Sequence, residues 1–245
     1  MELDDSILQK IRDLLGNSSA SFSIFEHQVD LSVQMEYFEF SKDQQSVDDV
    51  EALLGMEPNL YSSDIELSIK KSHLVSLASI DRPEAYRILE RFSDKAPDEP
   101  KDWAIMALQE SRMLLETKLL DEQQVFISTG MGGKTGRLRY FVVVFPISEN
   151  GFSQTQEKLI ESEFTFCLKR FHAEVEEFSF DNKYASMVVL VPLSVQVKKP
   201  FQLAIDECNS LGDFIQQGFL ITNVKVLSEE EIDEIINRPP DELSE

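Results

Sequence analysis

Apolar residues recur at helical spacing through the first half of the chain. Residues 2–15 place Leu3, Ile7 and Ile11 on one face, with acidic residues in the first turn and Gly16 after the last turn. This pattern predicts an amphipathic helix. In the rest of this half, spacing and capping residues predict a break at 56–62 and further helices over 46–54 (with a Ser46/Asp49 capping box), 63–79, 82–94 and 99–120.

The stretch from Phe22 to Phe40 fits two patterns. Every second residue from Val29 to Tyr37 is apolar, as in a strand, while Phe25, Val29 and Val33 repeat at every fourth position, as in a helix. We favour a helix, because no second strand-like run lies nearby in the sequence and a lone strand leaves its backbone groups unpaired.

From Gln124 onward, short apolar runs replace the helical spacing. The most apolar run covers 138–146, and a second one ends a hairpin that turns at 181–183. In chain order, the second half predicts strands at 125–128 and 138–146, a helix over 154–170 with a Ser153/Gln156 capping box, strands at 173–180 and 184–193, a helix from 200 to 217 and a strand at 219–227.

Two resemblances follow from this order. The segments LVSLASIDRPEAYRILERF (74–92) and PKDWAIMALQES (100–111) resemble HEAT-type helical repeats, which implies a helical scaffold that often binds other proteins. The order βαββαβ after residue 137 resembles the ferredoxin-like arrangement. The predicted fold class is therefore α+β: an all-helical, HEAT-like domain over 1–122, a ferredoxin-like domain with an antiparallel sheet over 123–230, and an acidic tail over 231–245.

The net charge limits the classes of partner that the sequence predicts, and the cysteines limit the compartment. The net charge of -22 opposes binding to nucleic acid or to an anionic membrane surface, and no run of about 18 apolar residues predicts a membrane span. Cys167 and Cys208 fall within predicted helices and are expected to be buried free thiols. Without a secretion signal, we expect a cytoplasmic protein. The three histidines form no pair at metal-ligand spacing, so no metal or cofactor is predicted.

A glycine-rich, basic stretch, STGMGGKTGRLR (128–139), is the most distinctive chemical feature. Its end, Gly133-Lys134-Thr135, matches a phosphate-binding P-loop, but Ser128 stands where the first glycine belongs, and a strand follows instead of a helix. We favour a turn whose cations pair with acidic neighbours. The alternative is an anion-binding nest of backbone amides and cations, with the candidate residues Ser128, Gly130, Gly132, Gly133, Lys134, Thr135, Arg137 and Arg139.

No nucleophile with a nearby base and no diagnostic carboxylate pair is evident, so catalysis is not expected. The sequence predicts a non-enzymatic interaction or regulatory protein with a protein partner, acting as a monomer or homodimer. The alternative function is an enzyme or binding protein that holds a phosphorylated or carboxylated ligand at 128–139. Nucleic acid and membrane are not expected as partners.

Overall fold

The computed structural model of the chain describes residues 21–42, 48–120, 124–134 and 136–237. The helix predicted for 2–15, Ser46, Thr135 and the tail beyond 237 lie outside these residues. The chain divides into two compact units. We call the described residues up to Gly132 the helical unit and those from Gly133 onward the sheet unit. The domain boundaries predicted at 122 and 230 stay predictions.

The helical unit consists of helices and one short parallel pair of strands. Its long helices α4, α5 and α6 pack on one another, and α1 packs on α6. In chain order its elements are β1 (Ser21–Ile24), α1 (Leu31–Lys42), α2 (Val50–Gly55), α3 (Glu57–Tyr61), α4 (Leu67–Ala78), α5 (Pro83–Ser93), α6 (Asp98–Leu120) and β2 (Gln124–Ile127).

The core of the helical unit is rich in aromatic side chains. Trp103 on α6 is buried, and its ring meets the rings of Tyr37 and Phe40 from α1 edge-on at 5.3 and 5.5 Å. Phe92 on α5 is fully buried and packs edge-on against Tyr61. Burial of such large rings is the main driving force for folding of this unit.

The helix favoured for 22–40 is only partly correct. The helix begins at Leu31, whereas Ser21–Ile24 forms strand β1, which pairs in parallel with β2 about 100 residues later. The argument that no partner strand lay nearby failed because parallel pairing joins segments far apart in sequence. The predicted break at 56–62 is also wrong in part, since Glu57–Tyr61 forms the short helix α3 with a proline in its first turn.

The sheet unit has the strand order β7-β4-β6-β5, with the short strand β3 on the same side of β4 as β7. The pairing is antiparallel throughout, and β4 and β6 are central. This is the predicted ferredoxin-like order, and the α+β class is confirmed. Its elements are β3 (Gly133–Lys134), β4 (Arg137–Pro146), α7 (Gln154–Arg170), β5 (Glu174–Phe180), β6 (Ala185–Pro192), α8 (Lys198–Ser210), β7 (Ile215–Thr222) and α9 (Glu229–Asn237).

Helices α7 and α8 pack on each other, and α7 contacts β5 while α8 contacts β7. The Ser153/Gln156 capping box at the start of α7 is confirmed. Helix α8, however, ends at Ser210 instead of 217. The Asn209 side chain accepts hydrogen bonds from the backbone amides of Phe214 and Ile215 and donates to the Ile215 carbonyl, which turns the chain into β7. Both cysteines are free and buried, as predicted. None of the described helices is long and apolar enough to cross a membrane.

Candidate functional site

The first part of the glycine-rich stretch forms a closed turn in the helical unit. Ser128 Oγ donates to Gln34 Oε1 at 2.5 Å, and the Gly132 amide donates to the Thr129 carbonyl at 3.1 Å. Gly130 and Gly132 are buried. A Cβ atom on Gly132 would lie 2.4 Å from the His27 carbonyl oxygen, so glycine is required there by close packing.

The second part of the stretch belongs to the sheet unit. Gly133 and Lys134 form β3, which pairs with the start of β4. Arg137 Nη1 lies 2.9 Å from Glu174 Oε2, and Arg139 binds both oxygens of Glu176, at 2.5 and 3.1 Å. The Arg139 guanidinium lowers the pKa of Glu176. Two of the predicted anion-binding cations therefore have acidic partners, the arrangement that the turn interpretation expects.

A different feature, an apolar groove in the helical unit, has the character of a binding site. Its volume is about 480 Å³, within the range of small-molecule sites. Its walls come from the end of α1, from α2 and α3, and from one face of α4. The lining residues are Phe40, Leu53, Met56, Asn59, Ile65, Ser68, Ile69, Lys70, Ser72, His73 and Ser76.

Local sequence accounts for the positions of these walls. Asp49 caps α2 by accepting a hydrogen bond from the Ala52 amide at 2.9 Å, which fixes the first turn of the helix that carries Leu53. On the opposite wall, Ile65, Ile69, Ser72 and Ser76 recur at spacings of three and four residues and so share one face. The groove lies between this face and the end of α2.

His73 joins the two walls. Its Nε2 lies 3.1 Å from the Leu53 carbonyl oxygen. Because a carbonyl oxygen only accepts, Nε2 carries the proton in this bond. Burial lowers the pKa of His73, so the ring is neutral at pH 7 and adds no charge to the groove.

The groove exposes apolar side chains that a folded protein normally buries. Phe40 is 38% exposed, Met56 is 47% exposed and Ile69 is 54% exposed. Single exposed apolar residues are ordinary, but several that line one concave surface indicate a contact site. Lys70 is the one charged residue among the lining residues given above, since His73 is neutral.

A larger cavity, of about 1050 Å³, lies in the sheet unit along β5 and α7, and its lining is dominated by charged residues. Arg137, Glu174 and Glu176 of this lining take part in the ion pairs already described. These pairs neutralise part of its charge, while Glu161, Lys169 and Glu177 of the same lining have no ion pair among the described residues. Within the described residues, no group of three or more His, Cys, Asp or Glu side chains could hold a metal ion.

Sequence reasoning missed the apolar groove because its walls come from separate helices, one of which was predicted to be a break. A usable signal was present: Leu53, Met56, Ile65 and Ile69 place four large apolar residues within a segment expected to be partly loop. Apolar residues outside a predicted core stripe are candidates for a surface site.

Comparison with known proteins finds little. No family model matches the chain, and no curated protein matches it. A similar solved structure is that of a candidate transposase from Deinococcus radiodurans R1, with a TM-score of 0.33 and 10% sequence identity, covering 42% of this chain and 89% of that chain.

This finding contradicts the functions predicted from the sequence. The non-enzymatic interaction or regulatory module and the anion-holding loop protein predicted from the sequence have no counterpart in the description of that structure. The paired arginines give a physical reason against the loop-bound anion as well. At this TM-score the likeness assigns no activity to the chain. A protein partner, the exclusion of nucleic acid and membrane, and a monomeric or homodimeric state stay predictions, as does anion binding by the individual loop residues.

Proposed function

We propose that the protein binds a small, mainly apolar molecule in the apolar groove of the helical unit. The observation that carries this proposal is the exposure of Phe40, Met56 and Ile69 around one concave volume of about 480 Å³. The helical unit buries many large apolar side chains in its core. The three groove residues are therefore not exposed because the unit is too small to have an interior.

Hydrophobic burial supplies the affinity. Covering apolar surface stabilises a complex by roughly 25 cal/mol per Å². The groove also presents a few polar groups, from Asn59, Ser68 and Ser72, to an otherwise apolar wall. An apolar lining with a small number of polar groups is typical of sites for small molecules.

Isothermal titration calorimetry of the full chain with 1-octanol tests the proposal. The variant Ile69→Ser removes an apolar wall and should weaken octanol binding about tenfold, the loss expected for one buried aliphatic side chain. Ile236→Ser is the matched control, because Ile236 is 51% exposed on α9, outside the groove, and Ile69 is 54% exposed. Absence of octanol binding, or equal weakening in both variants, would refute the proposal.

We also propose a cytoplasmic location. Cys167 and Cys208 are buried and free, which supports a reducing compartment. Burial raises the pKa of Cys208 to about 12, so this thiol is protected from oxidation by its surroundings.

A further inference from the structure

Lys70 is the feature of the apolar groove that the proposed function leaves unexplained. It lines the groove and is half-buried, and within the described part of the chain no carboxylate lies within 4.0 Å of its ammonium group. Glu66 stands one turn earlier on the chain, at a spacing that favours an ion pair. In the structure, however, Glu66 accepts a hydrogen bond from Ser68 at 3.5 Å.

The neighbouring lysine shows what a satisfied cation looks like in this unit. Lys71 Nζ lies 2.8 Å from Glu36 Oε1 and 4.3 Å from the centre of the Trp103 ring. Its charge is therefore balanced by a carboxylate and by an aromatic face. Lys70, one residue earlier, has neither kind of partner among the described residues, although the protein carries a net charge of -22.

A positive charge beside an apolar wall selects among ligands. An uncharged molecule gains only from burial, whereas an anion gains the attraction of Lys70 as well, and a cation is opposed by it. The hydroxyl groups of Ser68 and Ser72 line the same groove and can donate hydrogen bonds to an anionic oxygen.

We propose that the ligand of the apolar groove is an amphipathic monoanion, an aliphatic chain that ends in one carboxylate, with Lys70 as the residue that recognises the charged end. This inference rests on the proposed function and adds the chemical class of the ligand. It concerns the helical unit and is separate from the glycine-rich stretch.

Three probes of equal carbon-chain length separate the inference from the proposed function. They are octanoate, 1-octanol and octylammonium, each titrated into the full-length protein at pH 7.4. Octanoate should bind about fivefold more tightly than octanol, a modest preference because the ion pair is partly exposed to water. Octylammonium should bind more weakly than octanol. The preference for octanoate should fall as salt is added.

The variants Lys70→Gln and Lys71→Gln provide the matched test. Lys70→Gln should abolish the preference, so that octanoate and octanol bind with the same affinity. Lys71→Gln should keep the preference for octanoate.

Each other outcome overturns the inference. If octanol binds but octanoate binds no better, the ligand class is wrong and the proposed function stands. If neither binds, both fail. If Lys70→Gln keeps the preference, Lys70 is not the recognition residue. If Ile69→Ser instead changes the molar mass of the ligand-free protein in light scattering, the groove is a surface between copies of the chain, and both proposals are wrong.

Discussion

The two units differ in the polar side chains that they bury. The helical unit buries Gln34, His73, Ser76 and Ser111 among its helices, whereas Ser186 is the polar residue that is buried in the described part of the sheet unit. Both units carry ion pairs nearer the surface, such as Lys71 with Glu36 in the helical unit and Arg137 with Glu174 in the sheet unit. The difference follows from the backbone: a sheet pairs its own amides and carbonyls across strands, while helices joined by irregular turns need side chains to pair the remaining groups.

Because of its buried polar side chains, the helical unit should lose more stability on substitution than the sheet unit. Gln34 donates to the carbonyls of Val29 and Thr129 and accepts from Ser128, so one amide joins the chain around the start of α1 to the turn at 128–129. A buried polar group that loses its partner costs more than an exposed ion pair contributes. Damage to the interior of the helical unit should therefore be more severe than comparable damage to the surface of the sheet unit.

The largest expected effect comes from comparing two glycines of the glycine-rich stretch, Gly132 in the helical unit and Gly136 in the sheet unit. Gly132 has φ +64°, and a Cβ there would lie 2.4 Å from the His27 carbonyl oxygen; Gly136 has φ +77° and open space around it. Gly132→Ala should lower the free energy of unfolding by about 2–5 kcal/mol, from backbone strain plus overpacking. Gly136→Ala should cost only the strain, about 1–2 kcal/mol.

Urea denaturation of both variants measures this difference. The free energy of unfolding is read from the transition midpoint and slope, and a constant slope confirms that the unfolded states are comparable. Equal losses in the two variants would show that the turn in the helical unit can relax as easily as the open turn in the sheet unit, and the comparison between the units would then fail.

The sheet unit was the more predictable from sequence, for reasons visible in single elements. Its two most apolar runs became the central strands β4 and β6, and the capping box at Ser153 marked the start of α7 correctly. These signals are local. The end of α8 was missed because the turn depends on hydrogen bonds from the Asn209 side chain, which periodicity does not reveal.

In the helical unit, the errors have a common cause. Strand β1 is stabilised by β2, a segment about 100 residues away, and the apolar groove is assembled from residues on separate helices. A pattern along the chain identifies which residues are apolar, but not which of them meet or which stay exposed. For the same reason, the sequence did not identify the acidic partners of the glycine-rich stretch. Glu174 and Glu176 lie 37 residues from the arginines that they bind.

The second prediction concerns the hydrogen bond between Tyr37 and Glu110 in the helical unit. Tyr37 is fully buried, and its hydroxyl donates to Glu110 Oε2 at 2.5 Å. Tyr37→Phe leaves the half-buried carboxylate without this donor and should lower the free energy of unfolding by about 1–3 kcal/mol. Chemical denaturation at pH 7 measures the loss.

The pH dependence of this loss identifies Glu110 as its origin. Burial raises the pKa of Glu110, while the Tyr37 hydrogen bond opposes that rise. Because the folded pKa lies above the unfolded value, about 4.3, the protonated side chain is favoured by folding, and stability is lost as the pH rises through the folded pKa. Tyr37→Phe raises this pKa further, so its destabilisation should be larger at pH 7 than at pH 4. A loss that does not vary with pH would assign the effect to packing alone.

The smallest expected effect lies in the sheet unit, at the end of α7. His172 has φ +57°, the left-handed conformation that closes this helix: its amide bonds to the Lys169 carbonyl at 3.0 Å, and the Ala173 amide bonds to the Leu168 carbonyl at 3.1 Å. Glycine adopts this conformation without strain, so His172→Gly should raise the free energy of unfolding by about 0.5–1 kcal/mol, the strain relieved less the greater freedom of glycine in the unfolded chain.

His172→Ala separates the backbone from the side chain at this position. Alanine removes the imidazole ring but keeps the Cβ, and so the strain, which means that it should bring no gain in urea denaturation. An equal gain from both substitutions would show that the imidazole ring itself destabilises the folded state. A charged neighbour such as Lys169, which lines the same cavity, would then be the cause. A gain limited to glycine would show that the sheet unit tolerates one strained exposed residue, whereas the helical unit has glycine at Gly132, where its packing leaves no room for a side chain.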